Sequence, residues 1–176
     1  MALVAFLRGV NVGGHKTFRP SALAEKMPDL GVTSVGAAGT FVVRNASSPE
    51  GLRARFEEQL HFDPELFICH DREILDLVTA NPFHDAPAET RHVRRFLTVM
   101  AKPPRALPPL PLEKLAGIKW EVRVIAITGR FAFSLWRRVG HAIVYPNAVI
   151  EKSLGIPSTT RSWDTISAIA DILNKS

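Results

Sequence analysis

Along residues 1–70 the chain switches between two hydrophobic periods. Residues 2–7, ALVAFL, form an uninterrupted apolar run of strand length, closed by Arg8 and a glycine-rich turn. In PSALAEKMPDL, Leu23, Met27 and Leu30 recur near helical spacing behind Pro20, whose fixed φ suits a first helical turn. TSVGA and TFVVR read as strands. In PEGLRARFEEQLH, Leu52, Phe56 and Leu60 fall every four residues on one helical face, and ELFICH closes the series as a strand. The order βαββαβ is that of a ferredoxin-like unit. A third helix, DREILDLVTANPF, then runs into the polar linker HDAPAET.

The second half echoes this pattern without repeating its letters. It reads as a strand over VRRFLTVMA, a proline-rich crossing, a helix over LEKLAG, strands over EVRVIAIT, RFAFSLW and HAIVYP, and helices over NAVIEKSLG and SWDTISAIADILNK. The expected fold is therefore α+β with two packed halves. Residues 1–85 are the ferredoxin-like half, and residues 91–176 are a related α+β half with C-terminal helices; the boundary falls near residues 81–92.

A chain of 176 residues buries a core without disulfides. The single cysteine, Cys69 in the apolar run LFIC, reads as a small buried hydrophobe in a reducing compartment. MALVAFL is too short for a signal-peptide core, and no window approaches a membrane-spanning run. The expectation is a cytoplasmic protein with no membrane association. Net charge is +5, from 22 Lys and Arg against 17 Asp and Glu, a mild bias toward acidic ligands. The cations gather around Arg8, His15, Lys16 and Arg19, then at Arg91, His92, Arg94 and Arg95, then at Arg137, Arg138 and His141; the last two clusters read as solvated surface.

RGVNVGG, residues 8–14, sits between a strand and a helix, where backbone amides commonly cradle anions. Gly9 and Gly14 have the GxxxxG spacing of a nucleotide-binding P-loop, but His15 separates the second glycine from Lys16, and Arg19-Pro20 delays the helix. Nucleotide hydrolysis is disfavoured for that reason. A looser nest stays open, in which the Gly13 and Gly14 amides, the Asn11 side chain and Arg8 or Lys16 hold a phosphate or carboxylate. Equally open is a plain connecting turn, with the glycines permitting positive φ and Arg8 paired to an acid.

LRGVNVGG, the segment AGTFVV and the later LG with TTRSW together resemble the mostly bacterial domain-of-unknown-function family numbered 1697, over essentially the whole chain. That resemblance implies a ferredoxin-like α+β fold and no established activity. Ala38, Thr40 and Phe41 depart from the family's polar Ser and Asn followed by Val, and Ser162 stands where Asn is common. If those polar groups belong to a site, the site is altered here.

In STTRSWDT, Ser162 or Thr160 suits a helix cap, Asp164 the positive helix end, and Trp163, Ile166, Ala170 and Leu173 a buried stripe. Arg161 alone has no capping or apolar task, which leaves it as a ligand contact or, preferably, a clamp between the halves. GRFAFSLW loosely matches the aromatic strand of RNA-recognition modules, yet alternation favours burying Phe131, Phe133 and Leu135. RALPPLP, residues 105–111, fits an arginine-led PxxP ligand and reads better as a rigid crossover. The histidines at 15, 61, 70, 84, 92 and 141 form no short-spaced ligand set, and His70-Asp71 and His84-Asp85 read as ordinary element-end residues.

The functional expectation is a protein that binds a phosphate- or carboxylate-bearing small molecule or partner through Arg8, Gly9, Asn11, Gly13, Gly14 and Lys16, with Arg161 as a further contact. One alternative is an enzyme that uses the same loop as a phosphate or oxyanion holder; another is a nucleic-acid-binding module. No metal or cofactor is expected, and no catalytic residue is assigned.

Overall fold

A computed structural model describes residues 1–10, 18–141 and 143–175. The chain divides into two compact units, Met1–Thr79 with Ser167–Ser176, and Ala80–Ile166. This division returns the C-terminal stretch to the first unit, whereas the sequence pattern kept 91–176 together.

Unit 1 contains β1 (Leu3–Leu7), α1 (Pro20–Glu25), a 3-10 turn (Pro28–Leu30), β2 (Val32–Val35), β3 (Thr40–Val43), α2 (Pro49–Gln59), β4 (Leu66–His70) and most of α3 (Asp71–Ala80). Its sheet runs β2-β3-β1-β4, with every neighbouring pair antiparallel. β1 and β2, joined through α1, are therefore parallel with β3 inserted between them, the split arrangement that the βαββαβ order predicts. All five residues of β1 are buried, which explains its unbroken apolar run. Leu3, Ala5 and Leu7 share a core with Phe41 and Val43 of β3, Leu23 and Met27 from the α1 region, and Leu52 and Phe56 of α2. The Phe41 ring meets Phe56 edge-on at 5.2 Å. Cys69 is fully buried in β4.

The start of α2 is set locally: Pro49 occupies its first turn, and the Ser48 hydroxyl accepts from Gly51 N at 2.9 Å. Arg55 of α2 grips Asp29 of the 3-10 turn with two hydrogen bonds of 2.7 and 3.0 Å. The hydrogen bonds from Arg55 hold the Asp29 carboxyl below its ordinary value. Arg44 donates to Ile172 O at 2.7 Å, tying the end of β3 to the last turn of α5 (Trp163–Asn174).

Unit 2 carries β5 (Val93–Met100), β6 (Leu112–Ala116), β7 (Lys119–Thr128), β8 (Phe131–Arg137), α4 (Pro146–Leu154), β9 (Ser158–Ser162) and the start of α5. The order is β6-β7-β8-β5-β9, again antiparallel throughout. One face packs under α4 through Met100, Val124, Ile127, Ala132, Ile150 and Ile156. On the other, Phe83, Phe133 and Trp163 meet edge to face at 5.1–6.3 Å. Phe131 and Phe133 are buried as alternation predicted, and so are Ala132 and Ser134 between them.

Three local expectations are corrected. LEKLAG is strand β6, not a helix: Pro111 and Gly117 confine it to a segment too short to hold an isolated helix, and its backbone pairs with β7 instead. HAIVYP contains no strand among its described residues; Val144 O accepts from Trp136 Nε1 at 3.0 Å. STTRS is strand β9, paired along its length with β5, and its polar composition had masked it. No helix among the described residues is long and apolar enough to cross a membrane.

Gly39 adopts φ +74, and an added Cβ would lie 2.8 Å from both Leu7 Cβ and Val10 Cγ2, whereas Gly9 at φ +65 faces open space. Gly39→Ala is expected to cost about 3 kcal/mol, from left-handed strain plus overlap, and Gly9→Ala about 1 kcal/mol from strain alone, measured by urea unfolding. The Asp29–Arg55 pair sets a pH dependence. The unfolded chain binds more protons just below the ordinary carboxylate value, so the pair's contribution is complete above about pH 4 and is lost as pH falls through the lowered Asp29 value. Asp29→Asn is expected to flatten that part of the stability profile.

Candidate functional site

At the end of β1 the backbone leaves the sheet by handing two N–H groups to its neighbours. Leu7 N donates to Gly39 O at 2.7 Å, and Arg8 N donates to Glu65 O at 2.9 Å. Gly9 makes the bend in left-handed conformation, and Val10 drops into the core against Gly39. Asn11, Gly13, Gly14 and Lys16 lie outside the described residues. The described chain resumes at Phe18, whose ring packs with Phe41 and Phe62.

Beside that point of return is a cavity of about 140 Å³ in unit 1. Phe18 and Leu23 give it apolar surface; Arg19, Lys26, Gln59 and His61 line it with polar groups, and no acidic side chain does. Arg19, Ala22, Leu23 and Lys26 follow the spacing i, i+3, i+4, i+7, so α1 with its flanks turns one face to the cavity. His61 arrives from just beyond the end of α2 and sets its ring edge-on to Phe62 at 5.0 Å. None of the Arg19, Lys26 and His61 side chains has a hydrogen-bond or ion-pair partner among the described residues. Positive charge without a paired carboxylate, on a partly apolar floor, attracts a small anion.

Arg8 is not part of this lining. Its guanidinium pairs with Glu65 at 3.2 Å, both side chains partly exposed, which matches the paired-acid alternative and adds little stability. Arg161 lies in β9 of the other unit, 7% exposed, with Nη1 donating to Thr159 Oγ1 at 2.9 Å and Thr160 O at 2.8 Å. Burial pulls its pKa down to about 10. Phe41, where the family pattern has an apolar Val, is a core residue with no exposure, and Thr40 beside it is buried as well.

Sequence reasoning placed Arg19 in the basic cluster but did not select it, and it passed over Lys26 and His61. The helical spacing of Arg19 and Lys26 was a usable signal; the approach of His61 depends on how α1 and α2 pack and was not. Elsewhere, the second basic cluster is largely engaged: Arg94 pairs with Glu89 and Asp164, and Arg95 donates to Ala86 O and Pro87 O. His84 and Asp85 do pair, at 2.7 Å, because they lie in a turn and not on a strand, but both are well exposed.

The family model described as a protein of unknown function, DUF1697, matches residues 1–133. No curated protein matches the chain. A conserved bacterial protein from Streptococcus pneumoniae of known structure is similar over 98% of both chains, with a TM-score of 0.58 and 16% identity, a likeness of fold alone.

Proposed function

The chain belongs to the DUF1697 family of unknown function, and we propose from its own geometry that unit 1 binds a small anionic ligand at the exit of the RGVNVGG loop. The observation that carries this reading is the cavity lined by Arg19, Lys26 and His61 with no acidic side chain in its lining among the described residues. Its volume, about 140 Å³, is below the roughly 300 Å³ of a drug-sized pocket and suits a single phosphate or carboxylate group. By sequence alone, Asn11, Lys16 and the Gly13 and Gly14 amides of the preceding loop are further candidate donors. The arginine fork gives two directed hydrogen bonds, and Lys26 adds a point charge.

Titration of the protein with inorganic phosphate and with acetate, followed by calorimetry, tests the reading. Arg19→Ala and Lys26→Ala are each expected to weaken binding at least about tenfold, since the loss of even one charge-assisted hydrogen bond costs about 1.4 kcal/mol. Lys175→Ala, which removes an exposed charge elsewhere in unit 1, leaves affinity unchanged. Equal affinity in the Arg19/Lys26 double variant and the unaltered protein would sink the proposal.

A further inference from the structure

A second cation-lined recess lies in unit 2 and rests on different residues. β5 and β9 start their shared ladder at Met100 and Ser158, and Ala101 N donates to Pro157 O at 2.9 Å. Beyond that bond the two segments separate. The chain after β5 continues as Lys102-Pro103-Pro104-Arg105, and opposite it the last turn of α4 ends at Ser153, Leu154 and Gly155. Between them is a cleft of about 340 Å³. Ile156 and Leu154, which pack into the core with Met100 and Ile150, hold one wall in place.

The geometry points to this cleft as a binding site for a phosphorylated small molecule, held by Lys102 and Arg105. Both side chains are exposed, and neither has a hydrogen-bond or ion-pair partner among the described residues. No carboxylate lines the cleft; the Ser153 hydroxyl adds a neutral donor. The two intervening prolines fix φ at consecutive positions, so the cations are carried on a stiff segment that spans at most roughly 10 Å between their Cα atoms. Stiffness lowers the ordering cost of binding. A guanidinium fork and an ammonium at that reach match a phosphate group, with the apolar wall left for the rest of the molecule. The same four residues account for the start of the proline-rich stretch better than a peptide ligand does, because Arg105 faces the protein's own cleft.

The probe is inorganic pyrophosphate, titrated into the isotopically labelled full chain while its amide resonances are followed. Shifts are expected at Lys102, Arg105, Ser153 and Gly155, and Lys102→Gln with Arg105→Gln is expected to raise the Kd at least about tenfold. Lys152→Ala, one residue from the cleft on α4, and the Arg19/Lys26 double variant of unit 1 leave this response intact, which separates it from the first proposal. Unchanged affinity in the Lys102/Arg105 double variant, with a native spectrum, overturns the assignment. So does an equal response to chloride, or a single-stranded oligonucleotide that displaces pyrophosphate from the same residues at lower concentration.

Discussion

Unit 1 depends on one close approach. Leu7 and Val10 press against the Cα of Gly39, at a place where any other residue would put a Cβ within 2.8 Å of both, and Gly39 O takes the N–H of Leu7. This contact decides where β1 stops and where Val10 enters the core, and hence the direction in which the chain departs before Phe18 returns. The described start of one sequence motif, residues 7–10, and the glycine of AGTFVV are thus one junction in space. The strand register agrees, since Phe6 faces Thr40 and Ala5 faces Phe41. The glycine in the second motif serves the first.

Much of this organisation was legible in the sequence because periodicity and packing agree there. The run ALVAFL, the four-residue stripe of α2 and the turn glycines all state locally what the core requires globally. Legibility failed where the side chains and the backbone pointed to different answers. LEKLAG has leucines spaced for a helix, yet its hydrogen bonds are supplied by β7. STTRS looks like a loop, yet Ser158 and Thr159 are buried and its hydroxyls are satisfied by neighbours. The candidate site divided along the same line. Arg19 and Lys26 are readable from helical spacing, while His61 reaches them only through tertiary packing.

The TTRSW motif shows how a segment that looks chemical in sequence can be structural in detail. β9 alternates, so Thr160 and Ser162 share one face and Thr159 and Arg161 the other. Thr160 Oγ1 accepts from Asn147 N at the start of α4 and meets Thr98 Oγ1 at 2.9 Å, and Ser162 Oγ accepts from Thr165 N at the start of α5. One five-residue strand therefore satisfies one open amide at the start of each of two helices. Arg161 fits this arrangement from the opposite face. Desolvation lowers its pKa to about 10, far enough above neutrality that the guanidinium stays charged, and a buried charge persists only where hydrogen bonds offset its lost water. Thr159 Oγ1 and Thr160 O accept from it within its own strand. Burial separates Arg161 in kind from the cations of the two recesses, whose charge is still exposed to solvent.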